Sequence, residues 1–459
     1  MHMLLIFKFG IVAFSMCYVC LSSTSTMAIT LDHAIRASLE NSTEISAARQ
    51  NWIASREAIG GNTSTSDLTA RLISTGTLAE IDKQDGSGFN ESNSLGTVIA
   101  LSKNLYDGGQ TKENVRLAQI NLQMATANYA KTEQNVILRT IEAYLDVSKA
   151  RREVKLHDKN LTRLEAHVNA AKIRVEAGAA TPTRLAEARA RYARAKSDAI
   201  LTQTQLTNAE DNFHSLTGLS EYTSMQPAVA YNLPTDMLSA ETIAQSAHPD
   251  ILSAVAAERA ANQGFNTLQA AVRPTLAFNL TANTKVATGT SFDQEEFAAQ
   301  LVFSAPLLST NATTSKARNV AANYEAAKLN RSEALRKIRL AAREKFRNWE
   351  TTAARLKAVL SEIEAFRLVA KGIASEAQFG QRTMLDLLDA EKDVNDAELS
   401  LVTAEHEQIL AAFRLKAAIG SLTAEQMSPG NVLVPLFDLP DTKNPFQTTF
   451  PFRRITATD

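Results

Sequence analysis

The chain has 459 residues, enough for two or three ordinary domains, and carries 48 basic against 49 acidic side chains. That near balance gives no footing for a protein that grips a polyanion. Its 17 glycines and 11 prolines are few and clustered, which favours long helices over a mixed fold.

The first residues, MHMLLIFKFGIVAFSMCYVCLSSTSTMA, place one lysine and an apolar stretch from Ile11 to Leu21 ahead of the small-residue site at Ala28. This is the layout of a secretory signal peptide, residues 1–28, cleaved near Ala28. A transmembrane anchor is the rival, but the apolar run is too short to span and serines and threonines follow it directly. Cys20 lacks the small residues of a lipobox before it, which argues against acylation. The chain's two cysteines, Cys17 and Cys20, both fall in this leader, so the exported chain is expected to hold no disulfide and no thiol nucleophile. No later stretch is apolar enough for a membrane-spanning helix. If the mature chain crosses a membrane, it must do so with strands.

After the leader the chain repeats itself at an offset of about 202–206 residues. AIRASLENSTEISAARQNWIASREA (34–58) pairs with TIAQSAHPDILSAVAAERAANQG (242–264), and HSLTGL (214–219) pairs with KAAIGSL (416–422). Each half reads helix, two short strands, a very long helix, a glycine turn and a returning helix. The first repeat is expected over 29–219, an irregular linker over 220–238, the second repeat over 239–422, and a proline-rich, partly disordered tail over 423–459.

Strands are predicted at 67–79, 95–106, 274–287 and 296–308. Leu276, Phe278 and Leu280 fall on one face while Thr275, Asn279 and Thr281 fall on the other, the period-two pattern of a half-apolar sheet. Between the members of each pair lie loops such as DKQDGSGFNESNS. Four strands cannot close a barrel alone, and an open sheet leaves edges unpaired; another element covers them or several chains share one barrel.

No glycine or proline interrupts Gln110 to Ala177 or Thr310 to Lys371, and helices of that length would run about 100 Å. The returning helices carry a seam stepping by three and four: Leu185, Ala188, Tyr192, Ala195, Ala199, Thr202, Leu206 in one, and Leu387, Ala390, Val394, Ala397, Leu401, Ala404 in the other. That is a heptad pattern with alanine at almost every second place. Alanine lets two axes approach closely, so each returning helix is expected to fold back on its long helix as an antiparallel coiled coil.

The two glycine turns are weak copies of each other. VEAGAATPTRLAEARARY (175–192) matches AQFGQRTMLDLLDAEKDV (377–394), with Gly178 on Gly380, Thr181 on Thr383 and Glu187 on Asp389. Arg184 breaks the copy, standing where Asp386 stands. Thr181 and Thr383 occupy N-cap positions, and Pro182 falls at the first helical residue, where its missing N–H costs nothing. Asp386 suits two roles, a capping-box acid or a member of an acidic ring narrowing a pore. Asp389 lies a turn further in, beyond the reach of capping, which favours the pore role.

Exported, without cysteine after the leader, duplicated, and built on two hairpins and two very long helices, the chain resembles the TolC family of outer-membrane efflux proteins from about residue 30 to 425. GQRTMLDLLDAEKDV is similar to the family's second-repeat tip, G-x-R-T-x-x-D-V-L-D-A, and AGAATPTRLAEARARY resembles its first-repeat tip. LYDGG before the long helix and HPDILSAV are further family-like phrases. The resemblance implies an α protein with membrane β-hairpins, in which three chains of four strands close one twelve-stranded barrel continuous with a periplasmic α-helical barrel. It implies a homotrimer in outer-membrane lipid, extending into the periplasm of a Gram-negative cell. There the tip would meet a periplasmic membrane-fusion adaptor and an inner-membrane transporter, ABC-type or proton-driven. The chain would be the exit duct for small molecules or polypeptides, with no cofactor, no metal and no nucleic acid involved. The missing lipobox favours a type I protein or peptide exporter as the partner.

The tip would be the gate, with Asp386, Asp389, Arg382, Arg184 and Glu187 at the constriction and Gly178, Thr181, Pro182, Gly380 and Thr383 forming its turns. Family gates use an arginine at the place of Arg382 to tie the closed state. Here the substitution by Arg184, and Ala377 where the family has a tyrosine, suggest a rewired gate. Arg184 is expected to pair across to Asp386 or Asp389, leaving Arg382 more loosely held.

Enzyme chemistry finds no purchase. The seven histidines make no HExxH, and there is no GxSxG or P-loop. The basic run at 336–347, RKIRLAAREKFR, mixes with acids and reads as a solvated face. The rival from another class is a periplasmic coiled-coil adaptor or scaffold without a pore. Such a protein would ordinarily carry one helical hairpin between compact β-domains, where this chain has two hairpins and strand pairs.

Overall fold

The computed structural model describes residues 29–64, 67–82, 89–219, 225–228, 230, 232–289, 294–307 and 311–424. The leader expected at 1–28 and the tail from 425 onward lie outside the described residues. Two short helices, α1 (Leu31–Asn41) and α2 (Thr43–Thr63), precede β1 (Thr69–Asp82) and β2 (Phe89–Tyr106). A helix of 67 residues follows, α3 (Gln110–Glu176), and then α4 (Pro182–Thr217). The order repeats with α5 (Met237–Ala247), α6 (Pro249–Ala271), β3 (Thr275–Gly289), β4 (Gln294–Ser304), the 68-residue α7 (Asn311–Gln378) and α8 (Met384–Ala418).

The sequence predicts one helix ahead of each strand pair; the structure places two. Ser42 breaks the first because its side chain accepts the amide of Ile45 and starts α2. His248 breaks the second, its Nδ1 accepting the Asp250 amide ahead of Pro249 at the first helical position. The strands also run further into the expected loops, with β1 reaching Asp82 and β2 starting at Phe89. Antiparallel pairing needs only backbone donors and acceptors, so a polar hairpin end extends the ladder as readily as an apolar one.

The four strands form one antiparallel sheet in the order β1-β2-β3-β4. Register aligns whole rows. Leu72 pairs with Ile99, Ile99 with Ala282 and Ala282 with Phe297, while on the opposite face Ile73 meets Val98, Val98 meets Asn283 and Asn283 meets Glu296. Phe278 and Leu280, opposite Leu301 and Ala299, share the face of Phe297, as the alternation predicts. That face is apolar and open, with Leu72, Leu95, Phe297 and Leu301 all exposed. The other presents Arg71, Asn279, Thr281, Lys285 and Gln300. At the foot of the sheet the chain turns sharply into α3: Gly108 and Gly109 take positive φ, and the Asp107 carboxylate accepts the amides of Gly109 and Thr111. A β-carbon at Gly108 would lie 2.8 Å from the Ala270 carbonyl oxygen, so only glycine fits.

At about 1.5 Å per residue, α3 and α7 each run about 100 Å. Near the sheet α3 packs on α2 and α6, and α6 on α7; further along, α4 folds back on α3 and α8 on α7. The seam predicts this well. Ala188, Ala195 and Thr202 are buried on α4, and Ala390, Ala397, Ala404 and Ala411 on α8, each set at seven-residue intervals. α8 also rests on α3, burying Leu388, Asn395 and Val402 on a second face.

Where the repeats adjoin, two matching cores form. In one, Ile35, Ile137, Ile141, Tyr144 and Phe213 are buried together. In the other, Ile338, Ala342, Phe346 and Leu415 take the places of Ile137, Ile141, Tyr144 and Phe213, 201–202 residues later, with Ile251 packed beside them. A parallel bridge joins Ile29 to Met225, and the Tyr144 hydroxyl donates to the carbonyls of Ile29 and Gln226, both at 2.8 Å. No helix among the described residues is long and apolar enough to cross a membrane.

Candidate functional site

Far from the sheet, the two hairpins end in turns of one design. Gly178 and Gly380 adopt φ of 71° and 73°, the left-handed conformation that ends a helix cheaply only at glycine. In each, the next amide reaches back to the last turn: Ala179 N–H donates to Arg174 O at 2.8 Å, and Gln381 N–H to Glu376 O at 3.0 Å. Gly178 N–H donates to Val175 O, and Gly380 N–H to Ala377 O. Thr181 and Thr383 follow as N-caps in extended conformation, with Pro182 opening α4.

The copies differ in how the returning helix is capped. Thr181 makes no side-chain cap bond, whereas Thr383 and Asp386 form a full capping box. The Thr383 hydroxyl accepts the Asp386 amide, and the Asp386 carboxylate accepts both the Thr383 amide and hydroxyl at 2.8 Å. These Thr383 hydrogen bonds, with smaller help from Arg382 and Arg184, hold the Asp386 carboxyl below its usual range.

The expected pairing of Arg184 with Asp386 or Asp389 is not what the protomer shows. Asp389 is taken by Arg191 of α4, whose guanidinium lies 2.8 Å from Oδ1 and 3.8 Å from Glu187. Among the described residues Arg184 makes no ion pair within 4 Å; it acts on Asp386 at a distance. Nor is Arg382 loosely held: its Nε donates to Glu376 at 2.9 Å, and that bond raises the guanidinium further above its already high range. The reason is reach. Arg184 lies one turn into α4, beside a carboxylate already satisfied by its own helix cap, while Arg191 stands a heptad further on, within reach of Asp389 on α8, which leaves the tip in the same direction as α4.

Arg191 is therefore a site residue that the motif did not indicate: it lies in the quoted first-repeat stretch but beyond the end of the pattern G-x-R-T-x-x-D-V-L-D-A, which stops at the position of Ala188. The available signal was its place four residues after Glu187, on the same helix face. Arg184, Glu187 and Ala188 of α4 line a small crevice with His167 of α3 and Met384 and Leu388 of α8, so the two tips adjoin. Phe379, just before the second glycine, is 80% exposed.

Above the tip the repeats meet along a charged seam between α3 and α8. His167 Nε2 lies 3.0 Å from Glu391, Arg152 2.5 Å from Glu405, His406 Nε2 2.9 Å from Asp146, and Arg414 2.8 Å from Glu142. Inside the hairpins ion pairs such as Arg151–Glu210 and Arg367–Glu398 flank the alanine seams, and between the hairpins the charged seam runs beside buried apolar side chains, among them Leu388, Val402 and Phe413.

The family model for outer membrane efflux protein matches residues 34–219 and 242–421. Outer membrane efflux protein BepC of Brucella suis is 29% identical over 335 residues, covering 72% of this chain and 74% of that one. Outer membrane protein TolC of Vibrio cholerae is 24% identical over 356 residues, covering 74% and 80%. Among solved structures, a membrane protein from Pseudomonas aeruginosa superposes with a TM-score of 0.74 at 17% identity, covering 88% of this chain and 92% of the other. The open-state MtrE outer membrane channel of Neisseria gonorrhoeae superposes at 0.71 with 18% identity, covering 87% and 91%. With the hairpin, long helix and returning helix of both halves matched, the chain belongs to the outer membrane efflux protein family, channels of the outer membrane that extend into the periplasm as the exit ducts of tripartite efflux systems.

Proposed function

We propose that three copies of this chain form one pore. The β1–β4 sheets of a homotrimer close a twelve-stranded barrel in outer-membrane lipid, and the helices continue as a hollow cylinder whose tip, at the Gly178 and Gly380 turns, is the gate. The chain then divides into a leader (1–28), a first repeat (29–219), a linker (220–238), a second repeat (239–422) and a tail (423–459). One observation carries the reading: an open four-stranded sheet, with β1 and β4 at its edges, has one exposed apolar face, with Leu72, Leu95, Phe297 and Leu301, and a more polar face opposite. Edges and an apolar face of that kind call for lipid and for further strands. A periplasmic scaffold without a pore leaves that face unexplained.

At the constriction, Asp386, Asp389, Arg382, Arg184 and Glu187 set the charge of the narrowest passage. The polar seam between α3 and α8 is where the hairpins part on opening, because that contact is less extensive than those inside the hairpins and each partly exposed ion pair there contributes only about 0.2–1 kcal/mol. Phe379 offers an apolar contact to a periplasmic membrane-fusion adaptor, and an inner-membrane transporter, ABC-type or proton-driven, completes the system.

The test is assembly. The sequence has no cysteine beyond Cys20, so Thr69→Cys on β1 with Ser304→Cys on β4 supplies unique thiols at the two edges. A short bifunctional thiol reagent on membranes should give a ladder ending at three chains. Monomer alone, from folded membrane-embedded protein, sinks the shared barrel.

A further inference from the structure

An acidic constriction is what Asp386 and Asp389 would make if both faced an open axis, six carboxylates in a trimer. The protomer argues otherwise for Asp389. Its carboxylate is met at 2.8 Å by Arg191, which comes from the other repeat. The Arg191 side chain is 27% exposed against 54% for Asp389, so the guanidinium is the more enclosed partner, braced by Glu187 one turn before it. Among the described residues this is the ion pair that ties α4 to α8. Near the tip it joins the two hairpins directly, and it lies closer to the α8 N-terminus than the His167–Glu391 pair of α3 and α8.

We propose that Arg191 determines both the closure and the ion selectivity of the constriction. It fastens the first-repeat tip to the second, and it cancels the carboxylate that would otherwise make the passage anionic. The inference rests on the tip-gate reading. Each Arg191 lost uncovers one negative charge per chain, three in a trimer, and frees α4 from α8 at the point where the hairpins converge. A lysine is no equal substitute, because the planar guanidinium serves Asp389 and Glu187 together while an ammonium is a single point charge.

The experiment is planar-bilayer conductance of the full chain, purified in detergent, with reversal potentials under a salt gradient. It compares wild type, Arg191→Gln, Arg191→Asp and the exchange Arg191→Asp with Asp389→Arg. Roughly twofold per partly exposed pair, over three copies, raises the open-to-closed ratio about eightfold in Arg191→Gln. The reversal potential moves toward cations in both single variants, and the exchange returns conductance and potential toward wild type. Arg191→Gln is nearly isosteric, so it carries the test if Arg191→Asp does not insert. Unchanged conductance and reversal potential in a variant that inserts overturns the proposal, as does an exchange that leaves the single-variant phenotype in place. A wild-type protein that makes no pore at all fails the tip-gate reading itself, a different result from a pore indifferent to Arg191.

Discussion

Tyr144→Phe removes one oxygen from the place where the two repeats are tied. The Tyr144 ring is fully buried, edge-on to Phe213 at 6.1 Å between centroids, and phenylalanine keeps that contact. Burial pushes the hydroxyl up to about 12, so it remains a donor across any practical pH. Its two acceptors fare differently when it goes. The Ile29 carbonyl keeps the Gln226 amide at 3.1 Å, whereas the Gln226 carbonyl loses the hydroxyl. One under-satisfied buried acceptor costs about 1–2 kcal/mol, a factor of about 5–30 in a local opening equilibrium. Hydrogen–deuterium exchange with mass spectrometry reads this directly: the peptide holding Gln226 should exchange faster by that factor, while α3 around Ile141 stays protected. Unchanged exchange at Gln226 would refute the reasoning, because the hydroxyl would then not be what holds the Ile29–Met225 bridge.

Three further outcomes follow from named contacts. Thr383→Ala removes the cap of α8 at a cost of about 1 kcal/mol; exchange should quicken about fivefold across 384–387, and Thr181→Ala, whose side chain caps nothing, should leave 182–185 unchanged. His248 is held below its ordinary pKa first by burial and then by Lys131, with Asp250 opposing. Its neutral form is therefore favoured in the folded chain, and stability present above about pH 6.5 is lost as pH falls from there through the lowered value. The drop in melting temperature between pH 7.5 and pH 5 should shrink in His248→Asn, which caps without titrating; an identical pH slope would contradict it. Ala404→Leu forces a larger side chain between α8 and α7 at a position only 1% exposed, costing about 1–3 kcal/mol. It should lower the melting temperature where Ala190→Leu, at an exposed site, does not.

Much of this architecture could be read before any coordinates because it is periodic. Ala390, Ala397, Ala404 and Ala411 recur every seven residues, and that spacing alone states one of the two stripes of α8 that are buried; the other, through Leu388, Asn395 and Val402, follows from α3. The duplication was equally legible, since Gly178 with Gly380 and Gly218 with Gly420 keep both spacing and left-handed conformation. The site was legible in part. The Thr383–Asp386 box spans three residues and follows from local geometry, and the turn glycines follow from their φ. Within the protomer Arg191, not Arg184, meets Asp389, because a tip motif aligns residues by position along one helix and says nothing about which of them stand level on the next.

By itself, then, the sequence determined the local and repeating features: the helix lengths, the strand faces, the turns, the caps and the alanine seams. Each depends on residues within a few positions of one another, where backbone geometry leaves little choice. Only the tertiary structure decided that Arg191 rather than Arg184 meets Asp389, that Arg382 turns back to Glu376, and that α3 and α8 are laced by Glu142–Arg414, Asp146–His406 and Arg152–Glu405. Those pairs join residues up to 272 positions apart. Long charged side chains have several partners within reach, and the axial offset and rotation of whole helices, set by packing along their full length, select among them.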